Sequence, residues 1–149
     1  MRRTEDVELT VICLIYKENK ILLQNRTNKD WKGYTLPGGH VEKDESFVDA
    51  VIREMKEETG LTISNPYLCG IKQFPIDNGR YLVLLYKTDK FEGNLTSSNE
   101  GKMEWVDRQD LSKYNLVNDF FDLLKVFDDN NLSEFQYVID GDQWIVDLK

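Results

Sequence analysis

Glu54, Glu57 and Glu58 stand at i, i+3 and i+4, the spacing that stacks three carboxylates along one face of a helix. Like charges stacked in this way weaken a helix by roughly a few tenths of a kcal/mol per pair. A cation held between them turns that repulsion into binding energy. Carboxylate oxygens favour a hard divalent ion, which points to Mg²⁺ or Mn²⁺. Taken alone, three glutamates on a charged helix also describe an ordinary solvated face. The residues around them narrow the choice: Pro37-Gly38-Gly39 upstream, then Glu45, Arg53 and Gly60 at fixed intervals.

The elements that must position these residues follow from pattern. Ser46 to Thr59 reads as a helix, with Asp44 or Ser46 as its cap and Gly60 as its left-handed terminator. Its expected core stripe is Val48, Val51 and Met55, flanked by Phe47, Ala50 and Ile52. Pro37-Gly38-Gly39 is a breaker cluster whose glycines permit close backbone approach to a ligand. Strands are expected over Leu9 to Tyr16 and Lys20 to Gln24, with a polar loop from Asn25 to Tyr34. Further strands cover Tyr67 to Phe74, Tyr81 to Lys87 and Met103 to Val106. Val117 to Phe127 carries the apolar spacing of a second helix. Residues 134–149 read as a hairpin about Asp140-Gly141-Asp142, with Trp144 and Ile145 as packing residues. This order favours an α+β sandwich over a doubly wound sheet.

The 149 residues suit one domain, spanning 1–149, with a core that needs no disulfide. Hydrophobic content of 40% and charged content of 31% are those of an ordinary globular chain. No apolar run approaches the roughly 20 residues of a membrane span, and no signal-peptide pattern opens the chain. A cytoplasmic location and no membrane partner are the expectation. Cys13 lies in an apolar run and Cys69 is far from it, without metal-ligand spacing. The single histidine, His40, follows Gly39, where it suits either a phosphate neighbour or an exposed loop. The net charge of −8 argues against a nucleic-acid polymer as partner. It also repels a free polyphosphate unless bound cations reverse the local sign.

The run from Gly39 through Glu45, Arg53-Glu54-Met55 and Glu57-Glu58 to Gly60-Leu61 resembles the 23-residue signature of the Nudix hydrolases. Every fixed position of residues 39–61 is filled, and Met55 stands where the family more often has a branched aliphatic. Seven fixed residue types at about 7% each give a chance match on the order of 10⁻⁸ per starting position. The resemblance implies an α/β/α sandwich with a mixed central sheet. It implies hydrolysis of a nucleoside diphosphate linked to a further group, with Mg²⁺ or Mn²⁺ as cofactor. By this likeness Glu54, Glu57, Glu58 and the Gly38 carbonyl are expected metal ligands, with Arg53 and Glu45 supporting them. Glu54 is the first candidate for general base.

Beyond the signature, the stretch from Asn99-Glu100-Gly101 to Trp105 looks like the loop of MutT-type 8-oxo-dGTP diphosphatases that carries a further metal-binding glutamate. Glu100 takes that place, and is the alternative catalytic base to Glu54 and Glu57; an ordinary acidic loop is the competing reading. Arg26 matches a phosphate-contacting position, and Gly39 is expected close to substrate. Asn118 and Asp119 match positions that read an oxidised purine, and equally fit helix caps. Trp31, Tyr34 and Phe74 suit either base stacking or the core. The implied partner is a small nucleotide, most simply a (deoxy)nucleoside triphosphate such as 8-oxo-dGTP, acted on by a monomer or homodimer. ADP-ribose, a dinucleoside polyphosphate or a nucleotide sugar would use the same chemistry. A nucleotide sensor without catalysis is the reading from another class, and the retained glutamates argue against it.

Overall fold

A computed structural model of the chain describes residues 3–149. The chain opens with β1 (Asp6–Lys17), β2 (Lys20–Asn28), β3 (Trp31–Thr35) and β4 (Gly38–His40), followed by helix α1 (Phe47–Thr59). Then come β5 (Thr62–Ile63), β6 (Tyr67–Ile76), β7 (Gly79–Thr88), β8 (Phe91–Glu92) and β9 (Gly101–Asp107). A 3₁₀ turn (Arg108–Lys113) leads to α2 (Phe120–Asp128) and the hairpin β10 (Glu134–Asp140) and β11 (Gln143–Leu148).

The main sheet runs β11-β10-β6-β7-β1-β2-β3, with β4 added to β1 and β9 added to β2. It is mixed: β1 lies parallel to β7 and β10 parallel to β6, while the other pairs in it are antiparallel. Alternation along β1 sends Val11, Cys13 and Ile15 to the α1 side, where they pack with Leu22, Val51 and Met55. Leu14 faces the other side with Leu85, Leu124 and Phe127, under α2. This is the expected α+β sandwich, one helix on each face of a curled mixed sheet. Among the described residues no helix is long and apolar enough to cross a membrane.

Several elements depart from the sequence expectation. The polar stretch after Gln24 is strand rather than loop, because β2 is hydrogen-bonded on both flanks, Arg26 standing opposite Gly33 on β3 and Gly101 on β9. Helix α1 begins after Ser46, whose hydroxyl accepts from the Asp49 N–H, and ends at Gly60 with φ of 81°. Its buried stripe is Ala50, Val51, Glu54, Met55, Glu58 and Thr59, so Val48 and Phe47 face solvent, contrary to expectation. The two glutamates take part of the inward arc that an all-apolar stripe would have filled. Helix α2 starts three residues later than Val117: the Val117 N–H donates to the Tyr34 carbonyl, and Asp119 adopts a left-handed φ of 62°. The C-terminal hairpin forms where expected and extends the sheet beside β6. Trp144 and Ile145 are nearly half exposed, so they pack less completely than their types suggest.

Candidate active site

Arg53 organises the start of the site. Its Nε and Nη2 donate to the two Glu45 oxygens at 2.7 and 2.9 Å, and Nη1 to Glu54 Oε1 and Glu57 Oε2 at 3.0 and 3.1 Å. A second Nη2 proton reaches the His40 carbonyl at 3.0 Å. All five guanidinium protons therefore have acceptors, a geometry that a lysine could not reproduce. Glu45 also accepts from the Glu42 N–H, so that the loop before α1 is tied to the helix. The Arg53 hydrogen bonds, then that of Glu42, hold the Glu45 carboxyl down at about 2.

The three helix glutamates do not share one environment. Glu54 and Glu58 are buried, at 8% and 9% exposure, and lie one turn apart. Glu57 is exposed and leans on Arg53. Burying two carboxylates costs several kcal/mol per charge, against about 1.5–3 kcal/mol gained by burying an apolar side chain of similar size. Stability alone does not account for this pair. Desolvation pushes the Glu54 carboxyl up, Arg53 draws it back, and the charges of Glu57 and Glu58 push it up further.

Backbone shape makes room for the pair. On β4, Gly39 stands opposite Val11 and faces α1; a Cβ there would overlap the Glu54 carboxylate. Gly38 is as restricted, since a Cβ would run into the Val11 carbonyl. The next residue, His40, turns to the other face, where Nε2 lies 2.7 Å from Glu8 and the ring stands 6.4 Å from that of Tyr81. The short strand β4 thus reaches both faces of the sheet within two residues.

Glu58 is gripped on one oxygen. Gln24 Nε2 donates to Oε2 at 3.1 Å and Ser98 Oγ at 2.8 Å. Glu100 lies near Glu58: partial desolvation and the Glu58 charge push its carboxyl up, and Arg26 draws it down. The Arg26 guanidinium sits 5.2 Å above the Trp31 ring, while its Nε is buried with no partner among the described residues. The structure thus brings Glu54, Glu58, Glu100, Gly39 and Arg26 close to one another.

Among the described residues no three acidic, histidine or cysteine side chains close round a point as a finished metal cage. The donors explain this: Arg53 holds Glu54 and Glu57, while Gln24 and Ser98 hold Glu58. The residues nevertheless fit a divalent cation. The donor set is hard oxygen, Gly39 leaves the Glu54 carboxylate uncovered by any side chain of its own, and Mg²⁺ needs only a few protein ligands beside water and phosphate.

The opposite face carries an aromatic row. Phe74 stacks on Tyr81 at 4.8 Å between centroids, and Trp144 and Tyr137 meet Phe74 edge-on at 5.6 and 6.3 Å. The Lys72 ammonium lies 5.0 Å from the Phe135 ring centre and 5.3 Å from that of Tyr137, and burial pushes its pKa down. Asp119 stands at the end of this row and accepts from the Tyr137 hydroxyl at 2.6 Å. It occupies the N-cap position of α2, as the capping alternative has it, but its side chain makes no capping hydrogen bond. Asn118 and Asp119 line a depression of about 510 Å³ that includes no residue of the glutamate helix. Of the aromatics considered for stacking, Tyr34 packs on Tyr114 at the core margin, Phe74 is part-buried between Tyr81, Trp144 and Tyr137, and Trp31 is exposed. Gln24, Ser98, Lys72, Tyr81 and Tyr137 are not legible as site residues from sequence pattern. Only Gln24 carried a signal, a polar residue following the apolar run Ile21-Leu22-Leu23.

The NUDIX domain model matches residues 7–127. The chain is 37% identical over 105 residues to an uncharacterized Nudix hydrolase, YvcI, of Bacillus subtilis, covering 66% of this chain and 65% of that protein. It is 38% identical over 104 residues to the ADP-ribose pyrophosphatase of Methanocaldococcus jannaschii, covering 67% and 62%. The alignments thus span somewhat less than two thirds of these relatives' own lengths. Among solved structures, the MutT mutator protein of Bacillus halodurans superposes with a TM-score of 0.77 at 26% identity, over 95% of this chain and 97% of that one. With the signature complete in sequence, Gly39 packed against the Glu54 carboxylate and the family model matching residues 7–127, the chain belongs to the NUDIX domain family.

Proposed function

We propose that residues 1–149 act as one domain that hydrolyses the pyrophosphate bond of a nucleoside diphosphate derivative, using Mg²⁺ or Mn²⁺. The observation that carries this reading is the burial of Glu54 and Glu58 one turn apart on α1, with Gly39 packed against the Glu54 carboxylate. Glu54 and Glu58 hold the metal, aided by the Gly38 carbonyl, Glu57 and Glu100. When bound, such an ion neutralises the phosphates, polarises the attacked phosphorus and makes a coordinated water more acidic. Arg53 fixes Glu54 and Glu57, and Glu45 fixes Arg53. Glu54 takes the proton of the attacking water on its carboxylate. Glu100 is the alternative base. Arg26, whose charge lies near Glu100, offers its guanidinium to phosphate oxygens.

The nucleoside lies across β4 on the aromatic row, with Phe74 or Tyr81 against the base and Asn118 and Asp119 at its edge. We take the substrate to be a (deoxy)nucleoside triphosphate such as 8-oxo-dGTP, giving monophosphate and pyrophosphate. The likeness to a MutT protein along nearly all of both chains supports this. ADP-ribose is the second reading, favoured by the relative named for that activity. The test is kcat/KM over nucleoside triphosphates, 8-oxo-dGTP, ADP-ribose and dinucleoside polyphosphates, each with Mg²⁺ and with excess chelator. Activity on 8-oxo-dGTP abolished by chelator is expected. A tenfold preference for ADP-ribose overturns the substrate choice, and full activity in chelator overturns the metal assignment.

A further inference from the structure

Gln24 is fully buried in the middle of β2, on the side facing α1, where its strand neighbour Leu22 packs with Val51 and Met55. A buried amide without full partners costs stability, and a leucine of similar size at this place would not. Its Oε1 has no hydrogen-bond partner among the described residues. The one side-chain bond it makes is the 3.1 Å donation to Glu58 Oε2. Ser98 Oγ donates to that same oxygen at 2.8 Å, and accepts from the Glu100 N–H at 3.2 Å. Neither donor engages Glu58 Oε1. Gly101 seats this loop against β2: its N–H donates to the Ser98 carbonyl at 3.3 Å, and a Cβ on it would strike the Asn25 carbonyl.

We propose that Gln24 and Ser98 are positioning residues that clamp Glu58 by one oxygen, aim its other oxygen at the cation, and carry Glu100 to the site through the Ser98 hydroxyl. The proposal rests on the reading of Glu58 as a metal ligand. Two donors on one oxygen fix both the carboxylate plane and its rotation, which a single donor leaves free to swing. Ser98 acts twice: its donated proton orients Glu58, and its lone pair sets the backbone that bears Glu100. Partners of this kind typically change metal affinity or activity by about 10–100-fold when removed.

The experiment measures Mn²⁺ binding without nucleotide, by the paramagnetic resonance signal of free Mn²⁺, alongside the Tm of the metal-free protein. The proteins are wild type, Gln24→Leu, Ser98→Ala, Ser98→Thr and Glu58→Gln. Gln24→Leu and Ser98→Ala are expected to weaken Mn²⁺ binding by about tenfold or more. Ser98→Thr, which keeps the hydroxyl, restores it, and metal-free Gln24→Leu melts no lower than wild type. Wild-type Mn²⁺ affinity in both Gln24→Leu and Ser98→Ala, with binding lost in Glu58→Gln, overturns the clamp alone. Lower Tm without weaker Mn²⁺ binding does the same, leaving a purely structural role. Wild-type affinity in Glu58→Gln overturns the metal assignment beneath it.

Discussion

The two faces of the central sheet treat polar groups in opposite ways. On the α1 face, Arg53 has an acceptor for each of its five protons and Glu58 has two donors on a single oxygen. On the α2 face, Lys72 sits among aromatic rings with no ion pair among the described residues, and Asp119 is held by one hydroxyl. The first face is over-determined, as chemistry needing fixed charges requires. The second offers flat apolar surface and few polar commitments, which suits recognition of a planar base whose edge groups vary among nucleotides. This division predicts that substitutions on the α1 face lower kcat and those on the α2 face raise KM.

The largest effects are expected at the buried glutamates. Glu54→Gln should lower kcat by about 10²–10⁴, the range for a positioned general base. Glu58→Gln should be comparable, through lost metal binding. Glu57→Gln should cost less than Glu58→Gln, because the Glu57 carboxylate is exposed and only assists the buried pair. Steady-state kinetics with saturating Mg²⁺ decide the point. Equal losses at Glu57 and Glu58 would break the distinction between buried and exposed carboxylates.

Next comes Gly39→Ala, which places a methyl group into the Glu54 carboxylate. A displacement on the order of 1 Å at a reacting group can cost about 10²-fold. The loss should appear in kcat, with the protein still folded by circular dichroism. A wild-type kcat would mean that Glu54 works from another rotamer.

On the α2 face, Phe74→Ala should raise KM and spare kcat. Base stacking on an aromatic is worth about 1–3 kcal/mol, or roughly 5- to 150-fold in affinity. An unchanged KM would remove the nucleoside from the aromatic row. Tyr137→Phe frees the Asp119 carboxylate and should shift the ranking among purine nucleotides more than it shifts kcat.

The difference between the faces also explains what the sequence reveals. Gly39, Glu45, Arg53, Glu54 and Glu58 lie within one 23-residue run, so local spacing encodes most of the α1 face. The exposure of Glu57 beside two buried glutamates is not legible, because helical spacing places residues on an arc and does not say which edge of the arc the core covers. The clamp on Glu58 joins positions 34 and 40 apart, and no local pattern connects Gln24 or Ser98 to the helix. The aromatic row is less legible still. It draws on β6, β7, β10, β11 and the start of α2, and exists only once β10 pairs in parallel with β6. Even the strand character of Thr27 and Trp31 came from pairing partners rather than from their own propensity.

The smallest effect expected is in acid stability, and it isolates the Arg53–Glu45 pair from catalysis. In the folded chain Glu45 titrates at about 2 against an ordinary value of 4.5, chiefly because Arg53 bonds its ionised form. The unfolded chain therefore binds the proton first as pH falls, and protonation there draws molecules out of the folded state. The stabilisation is fully present above pH 4.5 and is lost progressively as pH falls towards about 2. Glu45→Gln removes it at every pH, so the Tm gap between wild type and variant should be constant above pH 5 and close steadily below 4.5. A gap that stays constant down to pH 2.5 would show that Glu45 contributes by shape and neutral hydrogen bonding rather than by charge. In that case the support of Glu54 by Arg53 would not depend on Glu45 being ionised.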